Sequence, residues 1–572
     1  MRPTLDAIDL RTALALLAVL ALALWVRLSG LAWDGYAALH PDERHLFLVT
    51  QPFLAALGDP ANAGLGLGGW WFSADSPLNP HRGEASFVYG EAPLLAGALL
   101  GWALGAVDWF AFMPVARGLS AVVDAGAVLA VFLAARLLAG NGAALGAAVL
   151  YAAMPSVLQL ANFHTVDVWL SAAGAAALVP LIALAQRRGD ALRMAALAGG
   201  VIGLAMACKI TGVLLLGPAA LALVLALRAG LPARRALLAA LLMLLAGFVL
   251  FRLANPFAFD GLSPFALSPD WVADFRGLAE VTASPGFPPN WQWIAGYGPL
   301  RLLRDFALFG VGPVATGLLL ALRWRSLRDA ALVPLAVLVV YLALTAISSI
   351  SALRYAAPGM AAMAVLLAPA LHRIGTPAAL TALALALYWG SGTVRLHDGD
   401  HPRVLASHWL WALPRGTILT NETAWDDHLP TIVALTEGEP HRWPSHDGWF
   451  TLQVLDITDP DSPEKAQRLA ALLARTDVLV LSSDRQSAVM PRLPDRFPLT
   501  TAHYAALFSG QACFAPVLVL DRGYPLPLFP FDDSWAQEPW RVYDHPLVQI
   551  FLREPCFSEA AYRQLLLQAL TP

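Results

Sequence analysis

Lysine is almost missing from this 572-residue chain: Lys209 and Lys465 are the two lysines among 37 basic residues. Cysteine is scarce as well. Cys208, Cys513 and Cys556 are too few for a disulfide-dense scaffold or a cysteine-rich metal domain. Charged residues make up 14%, against roughly 25% in an average soluble domain, which excludes an ordinary soluble enzyme and a disordered chain. The formal net charge of −4 provides no basic surface, so nucleic acid is not an implied partner. No G-x-G-x-x-G or G-x-x-x-x-G-K-S/T loop follows any strand-like segment.

What the chain has in quantity is apolar sequence: 58% of residues are hydrophobic, and the mean hydropathy is +0.59. The distribution is uneven. Residues 1–400 carry 45 charged residues, and residues 401–572 carry 33, of which 20 are acidic. The first part reads as a polytopic α-helical membrane domain. The second reads as a soluble domain of normal single-core size. A span needs about 20 apolar residues, and twelve runs approach that length: 11–32, 89–107, 113–137, 143–162, 168–186, 192–208, 210–227, 236–254, 302–321, 331–348, 355–371 and 377–394. The first is long enough to be a span rather than a cleavable signal peptide.

Arginine placement orients them. Arg2 and Arg11 put the N-terminus in the cytoplasm. Arg187, Arg188 and Arg193, then Arg228, Arg234 and Arg235, then Arg323, Arg325 and Arg328, and finally His372 and Arg373 mark four cytoplasmic loops. The loops 33–88 and 255–300, and everything after 401, then lie outside. An inside start and an outside end require an odd number of crossings. About eleven are expected, with one of the runs 89–107, 113–137 and 143–162 failing to cross. His45–Leu57 and Pro269–Ala279 read as short helices lying on the membrane surface. In the tail, Pro402–Leu413 and Ser462–Ala474 read as helices, and Thr417–Thr420 and Val478–Ser482 as strands. Phe508–Ala515 and Trp540–Leu552 read as further strand-like pieces, giving a small α/β domain with a partly parallel sheet.

Four features carry chemistry. His40-Pro-Asp-Glu-Arg-His45 follows the first span; its acids either cap the next helix or take a proton from an acceptor during group transfer. The H-E-x-x-H zinc spacing is absent. Asn162-Phe-His-Thr-Val-Asp167 puts His164 and Asp167 at the outer edge of a span, where an ionisable group is costly. Lys209 and Arg354, next to Tyr355, are cations at the same face. They either snorkel to the interface or hold the phosphate of a lipid carrier. Cys513 and Cys556 are candidates for a disulfide in an outer compartment.

Pro41-Asp42-Glu43, Val166-Asp167, Lys209 and Arg354-Tyr355 with Pro358 together resemble the GT-C glycosyltransferases, specifically the protein O-mannosyltransferase and aminoarabinose transferase superfamily (family 39-like). Ser86-Phe-Val-Tyr-Gly90, Ala424-Trp-Asp-Asp-His-Leu-Pro430 and Val542-Tyr-Asp-His-Pro546 look like pieces of a bacterial branch of that group. The resemblance implies a polyprenyl-phosphate-sugar donor, an outward-facing cavity in the cell membrane and an extracytoplasmic tail. It implies Asp42 as base, Glu43 as its orienting partner, Asp167 as the second-loop acid and Lys209 near the carrier phosphate. His40, His45, His164, Arg354, Tyr355 and Tyr89 would contact substrate, with Asp426 and Asp427 helping to select the acceptor. Protein, lipid and polysaccharide acceptors all fit. The family often has K-P-P-L entering its second span. Here Glu91-Ala-Pro-Leu94 stands instead, leaving Arg82 or Arg301 as substitutes. The carboxylates permit a divalent metal without requiring one, and no other cofactor is implied. The competing expectations are a transporter of lipid-linked glycans, disfavoured by the lack of an internal repeat, and a non-catalytic assembly protein.

Overall fold

The computed structural model describes residues 8–571 apart from 84–85, 285, 295–297, 324–328, 423–427, 435–440 and 443–447. By contacts they divide into two compact units. One holds the chain up to Leu31, Asp42–Ala283 and Pro299–Val394. The other holds Ala32–Pro41, Ser284–Gly298 and the chain from Arg395. The division is not a single cut, because two segments of the expected outer loops cluster with the tail.

The first unit is helical. Among the described residues nine helices are long and apolar enough to cross a membrane, and eleven spans result if two bent pairs each count once. The chain is therefore a multi-pass membrane protein. Of the three runs in doubt, 89–107 falls short: its helix, Glu91–Ala103, has 13 residues. Trp109–Ala139 is a continuous helix of 31 residues. Asn141–Ala152 bends by 63° into Pro155–Ala161, and Pro299–Gly310 bends by 110° into Pro313–Ala321. Each second segment opens on a proline, which lacks the N–H to continue the preceding helix. The helices Ala191–Cys208 and Ala233–Ala254 meet backbone to backbone. A Cβ added at Gly199 would lie 2.0 Å from the Met243 carbonyl oxygen, and one at Gly203 2.1 Å from that of Gly247. Lipid offers no hydrophobic drive for helix association, so such close approach is the source of the attraction.

The longer helices of the loops 33–88 and 255–300 are Pro41–Gly58 and Pro269–Ala283. His81 ties the two loop regions together. Its Nδ1 lies 2.6 Å from Asp274 Oδ2, and its Nε2 lies 3.6 Å from Glu91 Oε1. Burial lowers the His81 pKa, but hydrogen bonds to Glu91 and Asp274 outweigh it, and the net shift is upward.

The second unit carries a five-stranded sheet in the spatial order Thr451–Leu455, Ile418–Glu422, Val478–Leu481, Val548–Arg553, Phe514–Leu520. The first two neighbouring pairs are parallel and the last two antiparallel. The strand Val478–Leu481 is buried on both faces. Leu479 and Leu481 face a core shared with the helices Pro463–Leu473 and Glu559–Gln568. Val478 and Val480 face Val404 and Leu410 of the helix Pro402–Trp411. Two of the expected strands shift. Residues 498–508 are the helix Pro498–Phe508, with the strand starting at Phe514, and Glu538–Arg541 is a short helix before the strand at Val548. In both stretches the apolar run is short enough for either period, and packing on the sheet decides. Ser462 caps its helix by accepting from the Lys465 N–H. The Lys465 ammonium donates to the Ile457 and Asp459 carbonyls, to Asp461 and to Thr500, so it is a structural charge. Cys513 and Cys556 are disulfide-bonded, and Cys208 is a buried free thiol.

Glu422 ends its strand buried, and burial pushes its pKa up to about 8, with the Tyr504 hydroxyl offsetting part of the rise. A carboxyl raised on folding contributes full stability below its unfolded pKa of about 4.3. That stability is lost as pH rises toward the folded value, at about tenfold in the unfolding constant per pH unit. Thermal melts of the protein should therefore show a decline from about pH 4.5 to about 8 that Glu422→Gln removes. Parallel melting curves for the two proteins across that window would contradict it.

Candidate functional site

The helix Pro41–Gly58 opens on a proline whose fixed φ suits the first helical position. Asp42 and Glu43 fall in its first turn, where carboxylates complement the helix dipole. Adjacent helical residues point about 100° apart, and the two acids meet different surroundings. Glu43 turns inward and is fully buried. Arg117 Nε and Nη2 hold its two oxygens at 2.9 and 2.6 Å, and the His164 backbone N–H donates to Oε1 at 2.7 Å. Asp42, with 17% of its side chain exposed, faces Arg354, whose Nη2 is 3.1 Å from Oδ2.

Three other segment ends join Asp42. Asp167 lies in the first turn of Val166–Ala185, Lys209 caps the C-terminal end of Ala191–Cys208, and Arg354 and Tyr355 form the turn Leu353–Ala356 that leads into Ala357–Arg373. Lys209 Nζ donates to Asp167 Oδ1 at 2.7 Å and sits over the Tyr355 ring, 4.5 Å from its centroid. Arg354 Nε is 3.7 Å from Asp167 Oδ2, so this one guanidinium spans both carboxylates. The cluster is two acids and two bases, buried at Asp167 and partly open at Asp42, Lys209 and Arg354.

Around it, Tyr89 is held close enough to feel Asp42, Arg354, Tyr355 and Asp167. Burial first, then Asp42, raises the pKa of its phenol, which stays a proton donor. His45 packs against the rings of Phe87 and Tyr89. Burial lowers its pKa against the pull of Asp42 and Asp274. The His164 ring is buried with Nδ1 2.9 Å from Ser120 Oγ, and burial takes its pKa down to about 4. The ring is therefore neutral near pH 7, stacked on Phe47 and edge-on to Trp169. His40 belongs to the other unit, where it is buried with its ring 4.0 Å from that of Tyr543. Asp426 and Asp427 lie outside the described residues.

Sequence reading missed Arg117 and the network below it. Arg117, Ser120 and Asp124 stand at i, i+3 and i+7 on one face of Trp109–Ala139. Asp124 pairs with Arg27 Nε at 2.5 Å and accepts from the Tyr151 hydroxyl at 2.9 Å. The signal was present: charges seven residues apart inside an apolar span are expensive and need partners.

Among the described residues no three His, Cys, Asp or Glu side chains are grouped to hold a metal. The donor set does not fit one either. Asp42 and Asp167 each face a cation, and a divalent ion between them would have to displace Arg354.

No protein-family model and no curated protein matches the sequence. Solved structures do. The oligosaccharyltransferase AglB from Archaeoglobus fulgidus, in complex with an inhibitory peptide and a dolichol-phosphate, matches at a TM-score of 0.50 and 14% identity, over 91% of this chain and 75% of that one. ArnT from Cupriavidus metallidurans bound to undecaprenyl phosphate follows at 0.49 and 16%, over 85% and 95%. The arabinofuranosyltransferase AftD from Mycobacteria stands at 0.43 and 16%, over 97% and 41%. Of these three the AglB match alone reaches 0.50, and at that identity it speaks for architecture and not for the reaction. The chain has the fold of the GT-C membrane glycosyltransferases.

Proposed function

We propose that the chain is a membrane glycosyltransferase that moves a sugar from a polyprenyl-phosphate donor to an acceptor hydroxyl at the outer membrane face. In this reading the N-terminus is cytoplasmic, residues 1–400 form the catalytic domain and residues 401–572 lie outside the cell membrane. The observation that carries it is the four-residue cluster of Asp42, Arg354, Asp167 and Lys209 on segment ends of a GT-C fold. The dolichol-phosphate of the AglB complex is of the carrier class proposed.

The chemistry follows from charge. As the bond between the anomeric carbon and the carrier phosphate oxygen breaks, its electron pair leaves on the phosphate, which goes from a singly to a doubly charged anion. Lys209 and Arg354 are the cations placed to meet that growing charge. The acceptor oxygen bonds to the anomeric carbon, and its proton goes to Asp42, which needs to come within about 3 Å of it. Asp167 holds Lys209 in place. Glu43, with both oxygens engaged by Arg117, acts by fixing the helix turn that carries Asp42. The reading is tested by mass spectrometry of lipid-linked glycans and their products in a deletion strain. A glycan species should vanish, returning with the wild-type gene but not with Asp42→Asn; an unchanged glycan profile would refute the activity.

The loop bearing Tyr89 has no room to spare. The Gly90 N–H donates to the Cys208 carbonyl at 3.1 Å, and a Cβ at Gly90 would lie 2.0 Å from the Ala207 carbonyl oxygen. Backbone cannot yield as a flexible side chain would, so Gly90→Ala should push the loop from Ala207–Cys208 and displace Lys209 beside it. Misplacements near 1 Å can cost about 100-fold, and a loss of at least about tenfold in transfer is expected. Wild-type transfer by Gly90→Ala would show that this contact does not set the Lys209 position.

A further inference from the structure

Within the cluster two carboxylates face two cations. A carrier phosphate entering it must take a cation away from a carboxylate, and the geometry says which. Lys209 is committed to Asp167 by a direct 2.7 Å hydrogen bond, with the Tyr355 ring beneath it. Arg354 stands 3.7 Å from Asp167, beyond hydrogen-bond range, and holds Asp42 at 3.1 Å at the more open end of the cluster. If Arg354 turned to a phosphate, Asp167 would keep Lys209, while Asp42 would lose this guanidinium.

We propose that Arg354 is a donor-operated gate on Asp42. Without carrier it occupies the carboxylate; with carrier it moves to the phosphate and leaves Asp42 to receive the acceptor proton. Rotation of one side chain thus arms the base and supplies a cation to the leaving group, and donor binding precedes productive acceptor binding. This rests on the glycosyltransferase reading and adds to it a competition between Asp42 and the carrier phosphate for one guanidinium.

Competition has a sign that simple charge repulsion lacks. Removing the Asp42 charge releases Arg354 and should tighten carrier binding, and the gain should depend on Arg354 being present. The experiment measures binding of sugar-free undecaprenyl phosphate to the purified full-length protein by native mass spectrometry. The variants are wild type, Asp42→Asn, Arg354→Gln and the double variant, with thermal melts as folding controls. The expected gain from Asp42→Asn is about tenfold in the wild-type background and under twofold in the Arg354→Gln background. An equal or larger gain with Arg354→Gln means that Asp42 merely repels the phosphate, and the gate is wrong. No gain in the wild-type background is equally fatal to it. If Arg354→Gln does not fold, Arg354→Lys replaces it. A single ammonium cannot span both carboxylates, so the gain there should be smaller than in wild type, and an equal gain overturns the gate. Failure of the wild-type protein to bind undecaprenyl phosphate at all would instead refute the carrier-dependent function, which separates the two ideas.

Discussion

Asp42→Asn is expected to lower transfer by about 100-fold or more while leaving carrier binding undiminished. Asparagine keeps the size of the side chain and a hydrogen bond toward the site, but it cannot accept a proton from the acceptor hydroxyl. Loss of a positioned base typically costs 10²- to 10⁴-fold, on the order of 3–5 kcal/mol in the barrier. The loss should fall on turnover, because the missing interaction exists only in the transition state. The structure sharpens this in one respect. Arg354, freed from Asp42, has no reason to bind a phosphate less well than before. The measurement is transfer of labelled sugar from extracted lipid-linked donor in reconstituted vesicles. Near wild-type turnover in Asp42→Asn would strip Asp42 of the role of base and pass it to Asp167, the other carboxylate in contact with Arg354.

The second large effect lies behind the site. Arg117→Met should destabilise the protein severely, because it strips the fully buried Glu43 carboxylate of its bidentate guanidinium. Breaking one side of a buried pair typically costs about 3–5 kcal/mol, whereas replacing both sides by neutral groups of like volume is often neutral. The double variant Glu43→Gln with Arg117→Met should therefore recover most of the melting temperature, since the glutamine oxygen can still accept the His164 N–H. Activity should return with stability if, as proposed, Glu43 acts by positioning Asp42. Recovered stability with activity still absent would mean that Glu43 acts on substrate. Failure of the double variant to regain stability would mean that the ion pair itself, rather than its satisfaction, holds the turn.

How much of this was legible beforehand varies by residue, for physical reasons. Asp42, Asp167, Lys209 and Arg354 could be singled out because a charge at the end of an apolar run is costly anywhere, and arginine-rich loops placed all four on one face. Arg117 and Asp124 carried the same signal but were passed over, because their partners, Glu43 and Arg27, lie 74 and 97 residues away. His40 and His45 flank the same two acids in sequence, and nothing local separates them. Yet one packs on Tyr543 and the other on Phe87 and Tyr89.

The sequence by itself determined the solvent of each part. A run of about 20 apolar residues has no stable place but lipid or a buried core, so the membrane domain and its approximate count of spans follow from composition, as does the buried strand Val478–Leu481. Tertiary structure alone decided which carboxylate is enclosed and which is reachable. Asp42 and Glu43 are neighbours of nearly equal chemistry, and a rotation of about 100° per helical residue sends Glu43 to a buried bidentate arginine and Asp42 to the partly exposed Arg354. It also decided that one guanidinium bridges Asp42 and Asp167 across 125 residues of chain. Such a contact depends on where helix ends meet, which long-range packing sets and no local pattern records.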